Sequence, residues 1–286
     1  MRERMTSSRA AFTALNLLFL ALIAATMIVP LWNAVVVSLS SNLGSMQPGI
    51  QMWPQGFSVI GYQTIWNVLD LWQPFENSVI VSVFGTAVHV LLSAFAGYAL
   101  AQPNFPGRRI VTGLVLVSMM IPFEAIMIPF YVTMQELGLL NTLMALILSG
   151  AVSGFSILLM RNFFRSIPGD ILEAAKVDGA GHFWSMWRIC MPLSKAGLAT
   201  VALFEFVGRW NNLLSTVLLI NDSSKDTLQV ALNGLVNHGS STSSGNLITT
   251  NVKMAGIIIA ILPLILAYPF VQKYFVKGIF LGSSKE

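Results

Sequence analysis

The chain has 286 residues, of which 55% are hydrophobic and only 10% charged, with a formal net charge of +4. A soluble domain carries about a quarter charged residues, and the mean hydropathy here is +0.72, so the composition excludes an ordinary soluble domain and describes an integral membrane protein. The single cysteine, Cys190, excludes an intrachain disulfide and a cysteine metal cluster, and the sequence has no Gly-x-x-x-x-Gly-Lys-Ser/Thr loop to cradle a nucleotide phosphate.

A hydrocarbon core about 30 Å thick takes roughly 20 apolar helical residues. Six stretches meet that length, near 11–38, 77–101, 110–133, 142–164, 196–219 and 254–273. The first follows Arg2, Arg4 and Arg9, as the core of a signal peptide would. Its apolar run nevertheless reaches Val29 and resumes after Pro30 as far as Val37, which reads as a retained spanning helix with Pro30 as a candidate kink.

Positive charge sets the orientation. After Arg9 no Lys or Arg occurs before Arg108 and Arg109. Arg161, Arg165, Lys176, Arg188 and Lys195 then surround the fourth and fifth stretches, and Lys273, Lys277 and Lys285 close the chain. Alternate connections therefore hold nearly all the cations, and the opposite side has only Lys225 and Lys253 outside the spans. Both termini and the connection 165–195 are expected in the cytoplasm.

The outer connections differ. Residues 39–76 are rich in Ser, Gly, Pro and Trp and include a short amphipathic stretch from Phe57 to Trp66. Residues 134–141 suffice only for a turn. Residues 220–253 are polar, with a Ser-rich run at 238–245 that suits either contact with an outside partner or plain solvation.

The central island begins at Pro168, suited to a first helical turn, and continues through Gly169-Asp-Ile-Leu-Glu-Ala-Ala-Lys-Val177. Asp170 and Glu173 fall where a helix dipole favours anions. Asp178-Gly-Ala-Gly181 breaks this helix: Gly179 or Gly181 supplies a positive φ, and Asp178 is placed to cap a second helix. That helix carries Phe183, Trp184 and Trp187 and is expected to stop at Pro192. Small Ala174, Ala175 and Ala180 leave room for another backbone. On composition alone an amphipathic interfacial loop fits equally well.

Glu173-Ala-Ala-x-x-Asp-Gly-Ala180, followed by Ile189-x-x-Pro192, resembles the EAA loop of permease subunits in bacterial ATP-binding-cassette importers. The resemblance to the carbohydrate-uptake branch extends over nearly the whole chain, through Asn77-Ser, Ala94-Phe-Ala-Gly-Tyr-Ala-Leu100, Arg161-Asn-Phe-Phe-x-x-Ile-Pro168 and Trp210-Asn211. The ending Gln272-Lys-Tyr-Phe-Val-Lys-Gly278 is similar to that of maltose-type second permeases, and the wording as a whole to the polysaccharide-type branch that takes up oligosaccharides.

This resemblance implies an all-α integral membrane protein of six transmembrane helices, the type I importer permease fold, in a single domain over residues 1–286 of the bacterial inner membrane. It implies as partners a second permease, two ATP-binding subunits, an extracytoplasmic solute-binding protein and an oligosaccharide, with no nucleic acid. No cofactor or metal is expected on this chain; ATP and Mg belong to the partner ATPases. Glu173, Ala174, Ala175, Asp178, Gly179 and Ala180 would form the coupling loop, with Glu173 meeting a basic residue of the ATPase and Gly179 bending the loop. Ala196 stands where related loops often carry a second proline, and Gly282-Ser-Ser-Lys-Glu departs from the usual basic tail.

Charged residues inside spans are expensive and seldom face lipid. Glu124 lies between Pro122 and Pro129 in the third stretch. Glu205 and Arg209, four apart, share a helical face and neutralise each other, and Trp210, Asn211 and Asn212 follow. An aromatic ring beside amides suits a sugar, so Glu124, Arg209, Trp210, Asn211 and Asn212 are candidate pathway residues. An intramembrane ion pair with interhelical hydrogen bonds explains Arg209 as well. An Arg209 facing the path favours acidic oligosaccharides, an effect that pairing with Glu205 blunts. His89, alone in the second stretch, reads as an interhelical hydrogen-bonding residue.

Two other classes compete. A secondary transporter predicts related halves with helices interrupted at matching positions, and no such repeat is visible. A membrane enzyme requires a convergent cluster of His, Asp, Glu or Ser, which three scattered histidines do not supply.

Overall fold

The computed structural model describes residues 7–237 and 248–283. The first arginines Arg2 and Arg4, the Ser-rich run 238–245 and the last three residues of the tail lie outside the described residues. Apart from one bridge pairing Ser40 with Phe57, the described chain consists of helices and their connections. It divides into two compact units, residues 1–70 with 232–262, and residues 71–231 with 263–286.

In the first unit, α1 (Ser7–Ser38) carries Pro30 inside it, and α2 (Ile60–Leu69) follows a Gly- and Pro-rich connection. The later part of α13 (Leu228–Asn237) and the start of α14 (Thr250–Ser283) complete it. Ala34, Val36, Val37, Ile65, Leu235, Val252 and Ala255 are buried. Asn251 is fully buried at their polar edge. Its Nδ2 donates to the Ser40 carbonyl at 3.0 Å and to Asn42 Oδ1 at 3.0 Å, while its Oδ1 accepts from Thr249 Oγ1. An asparagine with both amide ends engaged can be buried without the cost of an unmade hydrogen bond.

The second unit is built on α3 (Trp72–Ala101), against which α6 (Leu143–Leu148), α7 (Gly154–Arg165) and α11 (Lys195–Trp210) pack. Its buried face is small or polar: Ser78, Ser82, Gly85, His89, Ser93 and Gly97 recur at helical spacing. Without a hydrophobic drive in lipid, small residues bring helices close enough for dispersion and hydrogen bonds to hold them. A Cβ at Gly97 would lie 2.8 Å from the Met160 Cβ and 3.0 Å from the Ile157 carbonyl. Near that end, Ala94, Tyr98, Met160, Phe164, Met186, Cys190 and Val201 form one core, with Tyr98 edge-on to Phe164. Val81, Met134, Ala145, Leu146, Leu219 and Ile220 form another.

Among the described residues, three helices are long and apolar enough to cross a membrane: Phe12–Ser38, Trp72–Ala101 and Thr250–Pro269. Two bent pairs raise the number to as many as five. One is α4 (Arg108–Met119) with α5 (Phe123–Glu136), bent by 101° where Pro122 enters. The other joins 182–193 to α11 at 80°. The stretch 142–164 is divided between α6 and α7 by residues 149–153, and 196–219 between α11 and α12 (Leu214–Leu219) by 211–213. Broken helices in a membrane protein release backbone carbonyls that other groups must satisfy, and that requirement shapes the site below.

Candidate functional site

The loop between α7 and α11 is two short helices around a glycine. Pro168 precedes α8 (Gly169–Val177), which has Asp170 in its first turn and Lys176 in its last, as the helix dipole favours. Its exit is a Schellman turn: the Ala180 amide donates to the Ala175 carbonyl at 2.9 Å and the Gly179 amide to Lys176 at 3.0 Å. Gly179 has φ +82°, the left-handed conformation that side chains resist, whereas Gly181 has φ −73°. Asp178 occupies the C-cap of α8, and α9 (His182–Ser185) starts after Gly181 without a side-chain cap. The expected capping of the second helix by Asp178 is therefore not found, because the Schellman turn separates it from that helix by two residues. The helix runs on through a π turn, Met186–Cys190, into α10 (Met191–Leu193), passing Pro192 by one residue.

One side of this loop is anchored and the other bare. Ala175, Ser185, Met186 and Cys190 are buried, the last two within the core shared by α3, α7 and α11. Outward, Val177 is 88% exposed and Trp184 is also exposed, whereas the partly exposed Phe183 stacks on Trp187 and on Phe95 of α3. Ala174, Ala175, Asp178, Gly179 and Ala180 line one concavity of about 720 Å³ together with Ile171 and Trp184. Glu173 is exposed beside it.

The second site lies where α3, α11 and the break between α6 and α7 meet. Arg209 Nε donates to Glu205 Oε1 at 2.6 Å, and Nη1 to the carbonyls of Leu146 and Ile147 at 3.0 and 3.1 Å. These carbonyls belong to the end of α6. His89, fully buried, places Nδ1 2.7 Å from the Gly150 carbonyl and Nε2 2.8 Å from Ser156 Oγ. A carbonyl only accepts, so Nδ1 donates to Gly150 in this arrangement. The same Nδ1 stands 3.4 Å from Glu205 Oε2. Arg209 and His89 thus repair the broken segment and hold Glu205 from two sides.

Glu205, Arg209 and Asn212 line a cavity of about 350 Å³ with Phe123, Ser149, Gly150 and Gly208. The other expected pathway residues are placed elsewhere. Trp210 is 2% exposed, stacked on Phe206 at 6.1 Å and edge-on to Phe75 at 5.9 Å. Asn211 is exposed and its Nδ2 donates to Val207 on its own helix. Glu124 is exposed in the first turn of α5, where its neighbour Phe123, not Glu124, reaches the cavity. Sequence reasoning gave His89 no role in this cluster and passed over Gly85 and Gly150. The signal available was the recurrence of Ser78, Ser82, Gly85, His89 and Ser93 on one face of α3.

Comparison with known proteins agrees across the chain's length. The family described as binding-protein-dependent transport system inner membrane component matches residues 89–281. The chain is 34% identical to Protein LplC of Bacillus subtilis (strain 168), covering 98% of this chain and 97% of that one. It is also 34% identical to the polygalacturonan/rhamnogalacturonan transport system permease protein YtcP of the same organism, covering 93% and 96%. Among solved structures, a chain of a bacterial ABC transporter involved in the import of the acidic polysaccharide alginate superimposes with a TM-score of 0.86 at 29% identity, covering 94% of this chain and 98% of that one.

Proposed function

The chain belongs to the binding-protein-dependent transport system inner membrane components, and we propose that it is the maltose-type second permease of an ATP-driven importer of oligosaccharides. As a member of this family it is a non-catalytic, multi-pass permease subunit, and ATP hydrolysis is the work of separate ATPase partners. Its partners are a second permease, two ATP-binding subunits that hold ATP and Mg, and a solute-binding protein that delivers the oligosaccharide.

One observation carries the coupling mechanism. The loop is bare on one face and built into the core on the other, through Met186 and Cys190 packed with Ala94, Tyr98, Met160, Phe164 and Val201. We assign Glu173, Ala174, Ala175, Asp178, Gly179 and Ala180 to the docking face, which takes its curvature from Gly179. An ATPase that moves this face moves α3, α7 and α11 with it, because close-packed interiors transmit displacement instead of absorbing it. The loop then faces the cytoplasm, both termini lie on that side, and six spans, three of them broken, cross the membrane. The substrate path is assigned to the cavity that carries Arg209 and Asn212.

Isolation of the protein from native membranes tests this. A second permease and an ATPase should co-purify, and both the ATPase and ATP-dependent uptake should be lost on Gly179→Pro. A lone protein that transports without ATP would instead be a secondary transporter.

A further inference from the structure

We propose that the cavity beside Arg209 is a subsite for a carboxylate-bearing saccharide unit, and that Arg209 with Asn212 determines this charge preference. The inference rests on the importer function above and names the substrate class of the same site.

The Arg209 side chain is 6% exposed. Its Nε is taken by Glu205 and its Nη1 by two carbonyls, but Nη2 has no hydrogen-bond partner among the described residues. A buried donor left unmade is costly, the more so on a charged group. The space next to it is kept open by Gly150, whose φ is +69°. A Cβ there would lie 3.8 Å from Nη2 and 3.8 Å from Glu205 Oε1, and Gly150 lines the cavity.

Two N–H groups on this wall have no protein partner among the described residues, Arg209 Nη2 and the amide of Asn212. Asn212 Oδ1 already accepts from the Ser215 amide at 2.9 Å, which leaves its Nδ2 for a ligand. Glu205 also faces the cavity, yet Arg209 engages one of its oxygens and His89 approaches the other. Two unengaged N–H groups beside a compensated carboxylate suit an acceptor-only ligand, and a carboxylate is acceptor-only, whereas a sugar hydroxyl also needs somewhere to donate.

The test uses the whole complex, purified with its partners and reconstituted in proteoliposomes loaded with ATP. The probes are trigalacturonate and its methyl ester, which differ in charge at equal length. Wild type should take up the acid in preference to the ester. Asn212→Asp keeps the acceptor for Ser215 but adds a like charge to the wall, and like-charge juxtaposition is strongly unfavourable. It should lower the acid-to-ester ratio by at least about tenfold. The neutral pair Glu205→Gln/Arg209→Gln should lower the ratio likewise without leaving a lone charge. An unaltered ratio in Asn212→Asp, or a wild-type preference for the ester, overturns the inference and leaves the importer function standing. Uptake that needs no ATP strikes at that function, and at the inference with it.

Discussion

Gly85 on α3 lies where any side chain would enter the space of the Arg209 guanidinium. The pairing fixes how closely α11 approaches α3, and Gly85→Ala tests it. An alanine gains about 1 kcal/mol of helix preference over glycine, while overpacking a tight interior costs about 1–3 kcal/mol. The overlapping atoms end a long side chain that could ordinarily swing aside, but here Glu205, Leu146 and Ile147 pin them. The clash should therefore win, lowering the melting temperature of the detergent-solubilised protein. In an Arg209→Met background the same substitution should be neutral or stabilising.

Glu205 and Arg209 should behave as one unit. Removing one member of a buried ion pair costs about 3–5 kcal/mol, an upper bound here because the Glu205 side chain is 20% exposed. Arg209→Gln should cost more than Glu205→Gln, since it also strands two carbonyls of α6. The double variant should cost less than the two singles combined, with a coupling of about 1 kcal/mol or more. A thermal-denaturation cycle that proved additive would remove the pair from the account.

The two sites differ in how far the sequence discloses them. The loop announces itself locally: Asp178-Gly-Ala-Gly181 between helix formers can only be a bend, and Gly179 is that bend. What Asp178 does was less plain, because a Schellman turn and an N-cap place the same residue types within two positions of each other. The cavity depends on breaks in apolar runs. Pro122 marks the one between α4 and α5, but at residues 149–153 the only local signals are the Ser149-Gly150 pair and the capping Ser153, which do not show that Leu146, Ile147 and Gly150 offer carbonyls to α3 and α11. Without those carbonyls, Arg209 reads as half of an ion pair and His89 as an interhelical hydrogen-bonding residue whose partners are unnamed. Trp210 misled for another reason: adjacent residues on a helix point about 100° apart, so a path lined by Arg209 leaves Trp210 facing the core.

On the coupling loop, Gly179→Ala and Gly181→Ala form a matched pair. No neighbouring atom crowds a Cβ at either position, yet only Gly179 has a positive φ. A side chain in the left-handed conformation costs roughly 1–2 kcal/mol. Gly179→Ala should straighten or loosen the bend and weaken ATPase co-purification, and Gly181→Ala should leave it near wild type. Glu173→Ala offers a separate check. This side chain is exposed and makes no ion pair among the described residues, so its loss should leave the melting temperature unmoved while reducing ATPase association. A fall in both together would make Glu173 a structural residue instead.

The turn at 222–226 holds two carboxylates pushed in opposite directions. Hydrogen bonds from Ser224, and then Lys225, hold Asp222 below the usual carboxylate range, while burial, and secondarily the charge of Asp222, raises Asp226. A depressed carboxylate contributes stability above its unfolded pKa of about 3.9, which is lost as pH falls through the folded value. A raised one does the reverse: it costs nothing when both states are protonated, and its penalty grows as pH climbs from the unfolded value through the folded one. Asp226→Asn should therefore raise the melting temperature at pH 7 and lose that advantage near pH 3. Asp222→Asn should lower it at pH 7 and converge on wild type in acid. Because Asn77 donates to the backbone carbonyls of Ser224 and Asp226, each at 3.0 Å, neither substitution removes the turn's anchorage to α3, and the two pH profiles report the carboxylates alone. Parallel profiles for the two variants would show that the turn responds as a whole and that the opposed shifts do not govern it.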